Sequence, residues 1–122
     1  MIFKQLFDKA TSTYTYLIAS KKGREALIID PVLENVENYI KLLNELNLKL
    51  VKVIDTHIHA DHITGASKLK DQTNCVTIMG DHTPADAVEI KVKDEEIITL
   101  DQLKIKALHT PGHTSDSFSF LM

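Results

Sequence analysis

One cysteine among 122 residues, Cys75, excludes an internal disulfide. Its setting in the run Cys75-Val76-Thr77-Ile78-Met79 reads as a buried strand, which makes the thiol structural rather than reactive. Proline and glycine are scarce, at three and four residues, and nowhere do they gather into a linker, so no internal boundary is expected. No repeat or low-complexity tract breaks the chain either. A long apolar run is also missing. The N-terminus Met1-Ile2-Phe3-Lys4-Gln5-Leu6-Phe7-Asp8 carries an acid early and reads as neither a secretory signal nor a transmembrane span. A cytoplasmic location with no membrane contact is the expectation. There is no excess of positive charge: 14 basic and 17 acidic residues leave a net charge of −3, with the two signs interspersed. That argues against a nucleic-acid or anionic-membrane partner and favours small soluble ones.

What is present fits a single unit. A chain of 122 residues buries roughly two thirds of its unfolded surface, enough for one core, so residues 1–122 are read as one domain. Strand-like runs occur at Ile2 to Phe7, Tyr14 to Ala19 and Ala26 to Ile29. Lys21-Lys22-Gly23 makes a plausible hairpin turn between the last two, so the start should be antiparallel. Asp30-Pro31 ends the third run. Val36, Tyr39, Ile40, Leu43 and Leu46 then recur at three- and four-residue spacing, as one face of a helix over Asn35 to Leu46 requires. Leu50 to Ile54 reads as a buried strand, followed by a histidine-rich segment and a second helical stretch from about His62 to Asp71. Further strands are expected at Cys75 to Met79, Glu96 to Leu100, Leu103 to Leu108 and Ser117 to Leu121, with a turn at Lys93-Asp94-Glu95. The fold class is α/β, a mixed sheet with helices on one face.

The chemistry gathers in Thr56-His57-Ile58-His59-Ala60-Asp61-His62, with three imidazoles and one carboxylate within six residues after an apolar strand. In extended backbone His57, His59 and Asp61 point the same way, and a turn into the next helix brings His62 round beside Asp61. Imidazole nitrogen and carboxylate oxygen are ligands for zinc and iron, whereas the same cluster without metal crowds like charges below neutral pH. The bland alternative is a polar loop that happens to be rich in histidine. Downstream, Leu108-His109-Thr110-Pro111-Gly112-His113-Thr114 follows another strand, and Pro111 and Gly112 set a tight turn that presents His113. A lone histidine after a turn is usually a surface or core residue; the first cluster is what makes His113 a ligand candidate. Blander readings hold elsewhere. His82 reads as a solvated loop residue and His109 as structural or supporting. Asp30 and Asp55 close strands and are expected to bond turn amides, and Ser115, Asp116 and Ser117 are turn residues.

H-x-H-x-D-H after a strand, followed by a histidine in a T-P-G-H turn, resembles the metallo-β-lactamase superfamily. The segments Ser12 to Leu17, Glu25 to Val32, Thr56 to Gly65 and Thr110 to Thr114 are most similar to persulfide dioxygenases, with glyoxalase II next. The resemblance implies the N-terminal half of a four-layer αββα fold. For the dioxygenase it implies one Fe(II) held by His57, His113 and an aspartate later than Met122, with His59, Asp61 and His62 supporting, and oxidation of glutathione persulfide to sulfite. For the hydrolase it implies His57, His59 and His113 on one Zn(II), Asp61 and His62 on a second, and a metal-activated hydroxide attacking a thioester. The metal candidates are thus His57, His59, Asp61, His62 and His113, with Asp61 also the candidate catalytic carboxylate. Ala60 stands where the hydrolases often carry a further histidine. Without the later aspartate the chain is expected to be inactive by itself, and a non-catalytic metal-binding half-domain is the third reading. The substrate implied is a glutathione-type thiol or persulfide. A homodimer is expected, because Leu50 to Ile54 and Leu103 to Leu108 carry too many apolar residues for an open sheet face.

Overall fold

The computed structural model describes residues 2–20, 25–56, 65–80, 89–101, 103–110 and 118–121. The chain starts as an antiparallel meander. Strand β1 (Ile2–Asp8) pairs with β2 (Thr13–Ala19), Ile2 facing Ala19 and Asp8 facing Thr13, and β2 pairs with β3 (Glu25–Ile29). The expected turn at Lys21 to Gly23 lies outside the described residues. The direction then changes. Strands β4 (Lys49–Ile54), β5 (Val76–Gly80) and β6 (Ile90–Val92) add in parallel, completing a six-stranded mixed sheet in chain order.

The parallel pairings need crossovers, and the two helices supply them. Helix α1 (Val36–Glu45) follows a single 3-10 turn at Leu33–Asn35 and buries Val36, Tyr39 and Leu43, the face expected from the spacing. It stops in a Schellman arrangement: Asn47 has φ 55°, its amide donates to the Asn44 carbonyl, and the Leu48 amide donates to the Leu43 carbonyl at 2.9 Å. Helix α2 (Ala66–Thr73) starts later than the expected His62 among the described residues, with Gly65 at its N-cap. It runs two residues past Asp71, until Asn74 turns left-handed at φ 60° and donates its amide to the Lys70 carbonyl. Both helices pack on one face of the sheet, over Leu17, Ala19, Ile28, Leu50, Val53 and Cys75.

The other face meets a second, three-stranded antiparallel sheet of β7 (Ile97–Leu100), β8 (Leu103–His109) and β9 (Phe118–Leu121). Ile18, Leu27, Ile29, Ile54 and Ile78 from the first sheet interlock with Ile98, Leu100, Ile105, Ala107 and Phe118 from the second. The layers are therefore helices, large sheet, small sheet. This arrangement corrects the premise behind the expected homodimer. The buried residues of Leu50 to Ile54 and Leu103 to Leu108 are covered from within the chain: the helices lie over Leu50 and Val53, and the packing of β7 to β9 on the large sheet covers Ile54, Ile105 and Ala107. What stays open is one end of the inner face, where Phe3, Phe7 and Tyr14 are each about half exposed, at 47%, 52% and 50%. Strand β6 had no counterpart in the sequence reading, since only Val92 of its three residues is buried. No helix among the described residues is long and apolar enough to cross a membrane.

Candidate metal centre

His57, His59, Asp61 and His62 fall in residues 57–64 and His113 in residues 111–117, all outside the described residues. The loop reading of His82 and the turn reading of Ser115 to Ser117 lie outside them as well. What the structure does describe is the frame from which both histidine segments leave and to which they return. Strands β3, β4 and β5 are parallel and in register, Ile29 beside Ile54 and Ile54 beside Ile78, so their carboxyl ends form one rim. Open parallel sheets place their sites at that rim. Asp30, Asp55, Thr56 and Gly80 stand on it.

Thr56, the residue before His57, is held from two sides. The Asp30 carboxylate accepts its amide and its hydroxyl, each at 2.8 Å. The Thr56 carbonyl accepts the amide of Phe118 at 2.8 Å. That bond joins the two site segments, because Thr56 immediately precedes 57–64 and Phe118 immediately follows 111–117. Asp30 is itself fixed: its amide donates to the Ile54 carbonyl at 2.7 Å, its carbonyl accepts the Thr15 hydroxyl at 2.7 Å, and its φ of 56° turns the carboxylate over the strand ends. The expectation that Asp30 bonds a turn amide is met at Thr56. Asp55, 8% exposed, donates its own amide to the Ile78 carbonyl at 3.1 Å.

The second segment is anchored in the small sheet. His109 pairs with Phe118 across the β8–β9 hairpin, its amide donates to Asp94 at 2.8 Å, and its ring lies against the Phe118 ring, centroids 5.3 Å apart. The structural part of the His109 reading is met by these contacts. Thr110 and Ser119 share a hydroxyl hydrogen bond at 2.7 Å, which closes the base of the hairpin. Beneath the rim, between the two sheets, a cavity of about 430 Å³ is lined by Tyr16, Ile18, Ile29, Phe118 and Phe120, with Asp30 and Thr56 at its polar end.

No three of His, Cys, Asp and Glu come together to hold a metal among the described residues. The frame nevertheless fits one. It ties the segment with three imidazoles and a carboxylate to the segment with a fourth imidazole, a nitrogen and oxygen donor set suited to zinc or iron. Among the described residues two titrations are shifted, and both lie away from this frame. Burial pushes the Cys75 thiol up, against smaller opposing effects from Thr73 and Lys70. The Lys70 ammonium bonded to exposed Glu89 holds its carboxyl below the usual range. Gly80 and Phe118 were not singled out in the sequence, where nothing marks a glycine at a strand end as the seat of a ring from another sheet.

A sequence profile of the Metallo-beta-lactamase superfamily matches residues 8–122. The chain belongs to that superfamily. This metallo-β-lactamase-fold chain is 32% identical to the persulfide dioxygenase ETHE1, mitochondrial, of Homo sapiens, over 100% of its own length and 48% of the human protein. It is 38% identical to a probable hydroxyacylglutathione hydrolase of Schizosaccharomyces pombe, over 88% of its length and 42% of the yeast protein. The crystal structure of ETHE1 from Myxococcus xanthus superposes with a TM-score of 0.93 at 44% identity, covering 99% of this chain and 53% of that one. The chain thus spans about half the length of the relatives it matches. Both groups named from the motifs, the persulfide dioxygenases and the glyoxalase II hydrolases, are among them, and the fold is the expected α/β metallo-β-lactamase arrangement over about half of their length.

Proposed function

We propose that this chain carries the metal-binding part of a persulfide dioxygenase, with His57 and His113 as ligands of one Fe(II) and a glutathione-type persulfide as substrate. The observation that supports it is the Thr56 to Phe118 hydrogen bond, which brings the start of one histidine segment to the end of the other. The similarity to ETHE1 proteins at 32% and 44% identity supports the dioxygenase over other chemistries of the fold. Iron held by His57, His113 and a carboxylate would supply open positions for a persulfide and dioxygen, the four-electron oxidation of the outer sulfur by dioxygen, with uptake of one water, releasing sulfite and the free thiol. The chain's own residues do the holding. Asp30 fixes Thr56 and so the direction in which His57 leaves the sheet. His59, Asp61 and His62 orient the ligands and place hydrogen-bonding groups near the metal. Asp61 is the carboxylate proposed to take part in catalysis. In this reading the third iron ligand is an aspartate outside the two histidine segments.

The second reading, a zinc thioester hydrolase of the glyoxalase II type, is favoured by the 38% identity to the probable hydroxyacylglutathione hydrolase. In it His57, His59 and His113 hold one zinc, and Asp61 and His62 a second. Anaerobic titration with Fe(II) and with Zn(II), followed by elemental analysis, separates the readings. Weak Fe(II) uptake below one equivalent, reduced further by His57→Ala and by His113→Ala but not by His82→Ala, is the expected result. Two tightly held zinc ions with cleavage of a glutathione thioester would replace it with the hydrolase. Weak uptake of either metal with no preference for Fe(II) would leave the non-catalytic metal-binding half-domain, and no uptake at all would rule out all three readings.

The proposed assembly is a homodimer built on the open end of the inner face. Phe3 stacks on Tyr16 and Phe7 on Tyr14, with centroids 5.7 and 4.7 Å apart, and this aromatic strip borders the inter-sheet cavity. A second copy meeting it about a two-fold axis would bury the strip isologously. Sedimentation equilibrium at micromolar concentration is the check. A monomer that stays soluble, with Phe3→Ser/Phe7→Ser sedimenting identically, rules the dimer out.

A further inference from the structure

The geometry points to Phe118 as a positioning residue that couples the two histidine segments, and the inference rests on the metal-binding reading above. Three elements that end at the rim converge on this one side chain and its amide. The amide donates to the Thr56 carbonyl at 2.8 Å, one residue before His57. The ring packs on the His109 ring at 5.3 Å and 37°, four residues before His113. On its other side the ring fills the space left by Gly80 at the end of β5: a Cβ there would fall 2.1 Å from Cδ1 and 2.2 Å from Cε1 of Phe118. Those distances are far inside van der Waals contact, so Gly80 is glycine for room. Its φ lies outside the left-handed region, and no conformational reason competes.

Phe118 is 3% exposed and belongs to the core between the sheets, so a purely structural account would have it contribute apolar burial like Ile105 or Ala107 beside it. The positioning account adds something the burial account lacks. A close-packed ring has one place to sit, and a shift in it is passed to what it touches. Here it touches the base of the His113 hairpin and the end of β5, while its backbone ties down the start of the His57 segment. Changing the ring should therefore alter the spacing of His57 and His113 without removing either ligand. Groups that orient ligands change metal affinity about tenfold to a hundredfold when lost.

The test uses Co(II) alone as the probe in the 122-residue chain, because its visible absorption reports ligand geometry as well as occupancy. Phe118→Leu keeps an apolar side chain and loses the ring, with Phe118→Met as the unbranched, more adaptable substitute should the leucine variant fail to fold. Gly80→Ala drives a methyl into the ring. Leu69→Ala, in the separate core on the helix side, is the control that lowers stability away from the rim. Phe118→Leu and Gly80→Ala are each expected to weaken Co(II) binding about tenfold and to shift the absorption bands. The double variant should recover part of the Gly80→Ala loss, since leucine leaves room for the methyl. Leu69→Ala should unfold at lower urea yet bind Co(II) as the wild type does. A Phe118→Leu chain with wild-type affinity and spectrum overturns the positioning role, and so does a Leu69→Ala chain that loses affinity by the same factor. A wild-type chain that takes up no Co(II) overturns the metal reading itself, and the positioning role with it.

Discussion

Asp30 receives both hydrogen-bond donors of Thr56, the amide on Oδ1 and the hydroxyl on Oδ2, each at 2.8 Å. The residue also holds a left-handed backbone at φ 56°, which asparagine and aspartate tolerate better than other side chains bearing a Cβ. Asp30→Asn keeps that tolerance. Its carbonyl oxygen can take the Thr56 amide while its NH2 donates to the Thr56 hydroxyl, so at this contact the loss is the charge assistance, about 1 kcal/mol. Asp30→Ala loses both acceptors and meets the left-handed penalty, so about 2 to 4 kcal/mol is expected. Urea unfolding of the two variants checks the order. Equal losses would mean that the hydrogen bonds to Thr56 contribute little.

Gly65 caps α2 with φ −78°, a conformation open to any residue, so its requirement is one of space. A Cβ there would sit 2.9 Å from Val36 Cγ2 and 3.2 Å from both Pro31 Cβ and the Val32 carbonyl oxygen. Gly65→Ala should cost about 1 to 3 kcal/mol through overpacking. Val36→Ala removes the nearest obstacle and leaves a void, so the double variant should be less destabilised than the sum of the singles. Strict additivity in chemical unfolding would show that the methyl is accommodated by backbone movement instead.

The face of α1 and most strands were legible because their signals are local: Val36, Tyr39 and Leu43 repeat at helical spacing, and Leu50 to Ile54 is a continuous apolar run. Strand β6 was not, because Ile90-Lys91-Val92 earns its place only by parallel pairing with Ile78 to Gly80. Alternation in β7 and β8 showed that one face is buried but not what covers it, and the covering turned out to be the large sheet of the same chain. The candidate ligands stand out by composition alone. The bond that brings their segments together, from Phe118 to Thr56, joins residues far apart in sequence and carries no motif.

Cys75 is 1% exposed, and its burial raises the thiol pKa from an ordinary 9.0. The native chain should therefore react with a thiol reagent at neutral pH only through opening, and far more slowly than the unfolded chain. The pH dependence follows in sign. Below 9.0 both states keep the proton and the thiol adds nothing. Above it the unfolded chain ionises first, binds fewer protons than the native one, and stability falls as pH rises toward the native value. Cys75→Ala should flatten that decline in urea unfolding between neutral pH and the alkaline range. An unchanged slope would assign the decline to other groups.

Tyr39 extends the support of the rim into the helix layer, and its hydroxyl can be assigned a direction. Thr15 Oγ1 donates to the Asp30 carbonyl at 2.7 Å, so the 3.2 Å contact between Thr15 and Tyr39 has the tyrosine as donor. The tyrosine oxygen in turn accepts the Val32 amide at 3.0 Å. The chain runs from the Val32 amide through Tyr39 and Thr15 to the Asp30 carbonyl, with Tyr39 and Thr15 3% and 1% exposed. Tyr39→Phe keeps the ring but strands the buried Val32 amide and leaves Thr15 without its donor, so about 1 to 3 kcal/mol should be lost. Thr15→Val preserves volume and strands the Tyr39 hydrogen, at a similar cost. The bond between the two hydroxyls is lost in either single variant and can be lost only once, so the double variant should lose less than the two singles combined, with a coupling of about 1 kcal/mol. A double-mutant cycle in urea measures it. Coupling indistinguishable from zero would mean that the two hydroxyls find separate partners and that Tyr39 serves the rim only by packing.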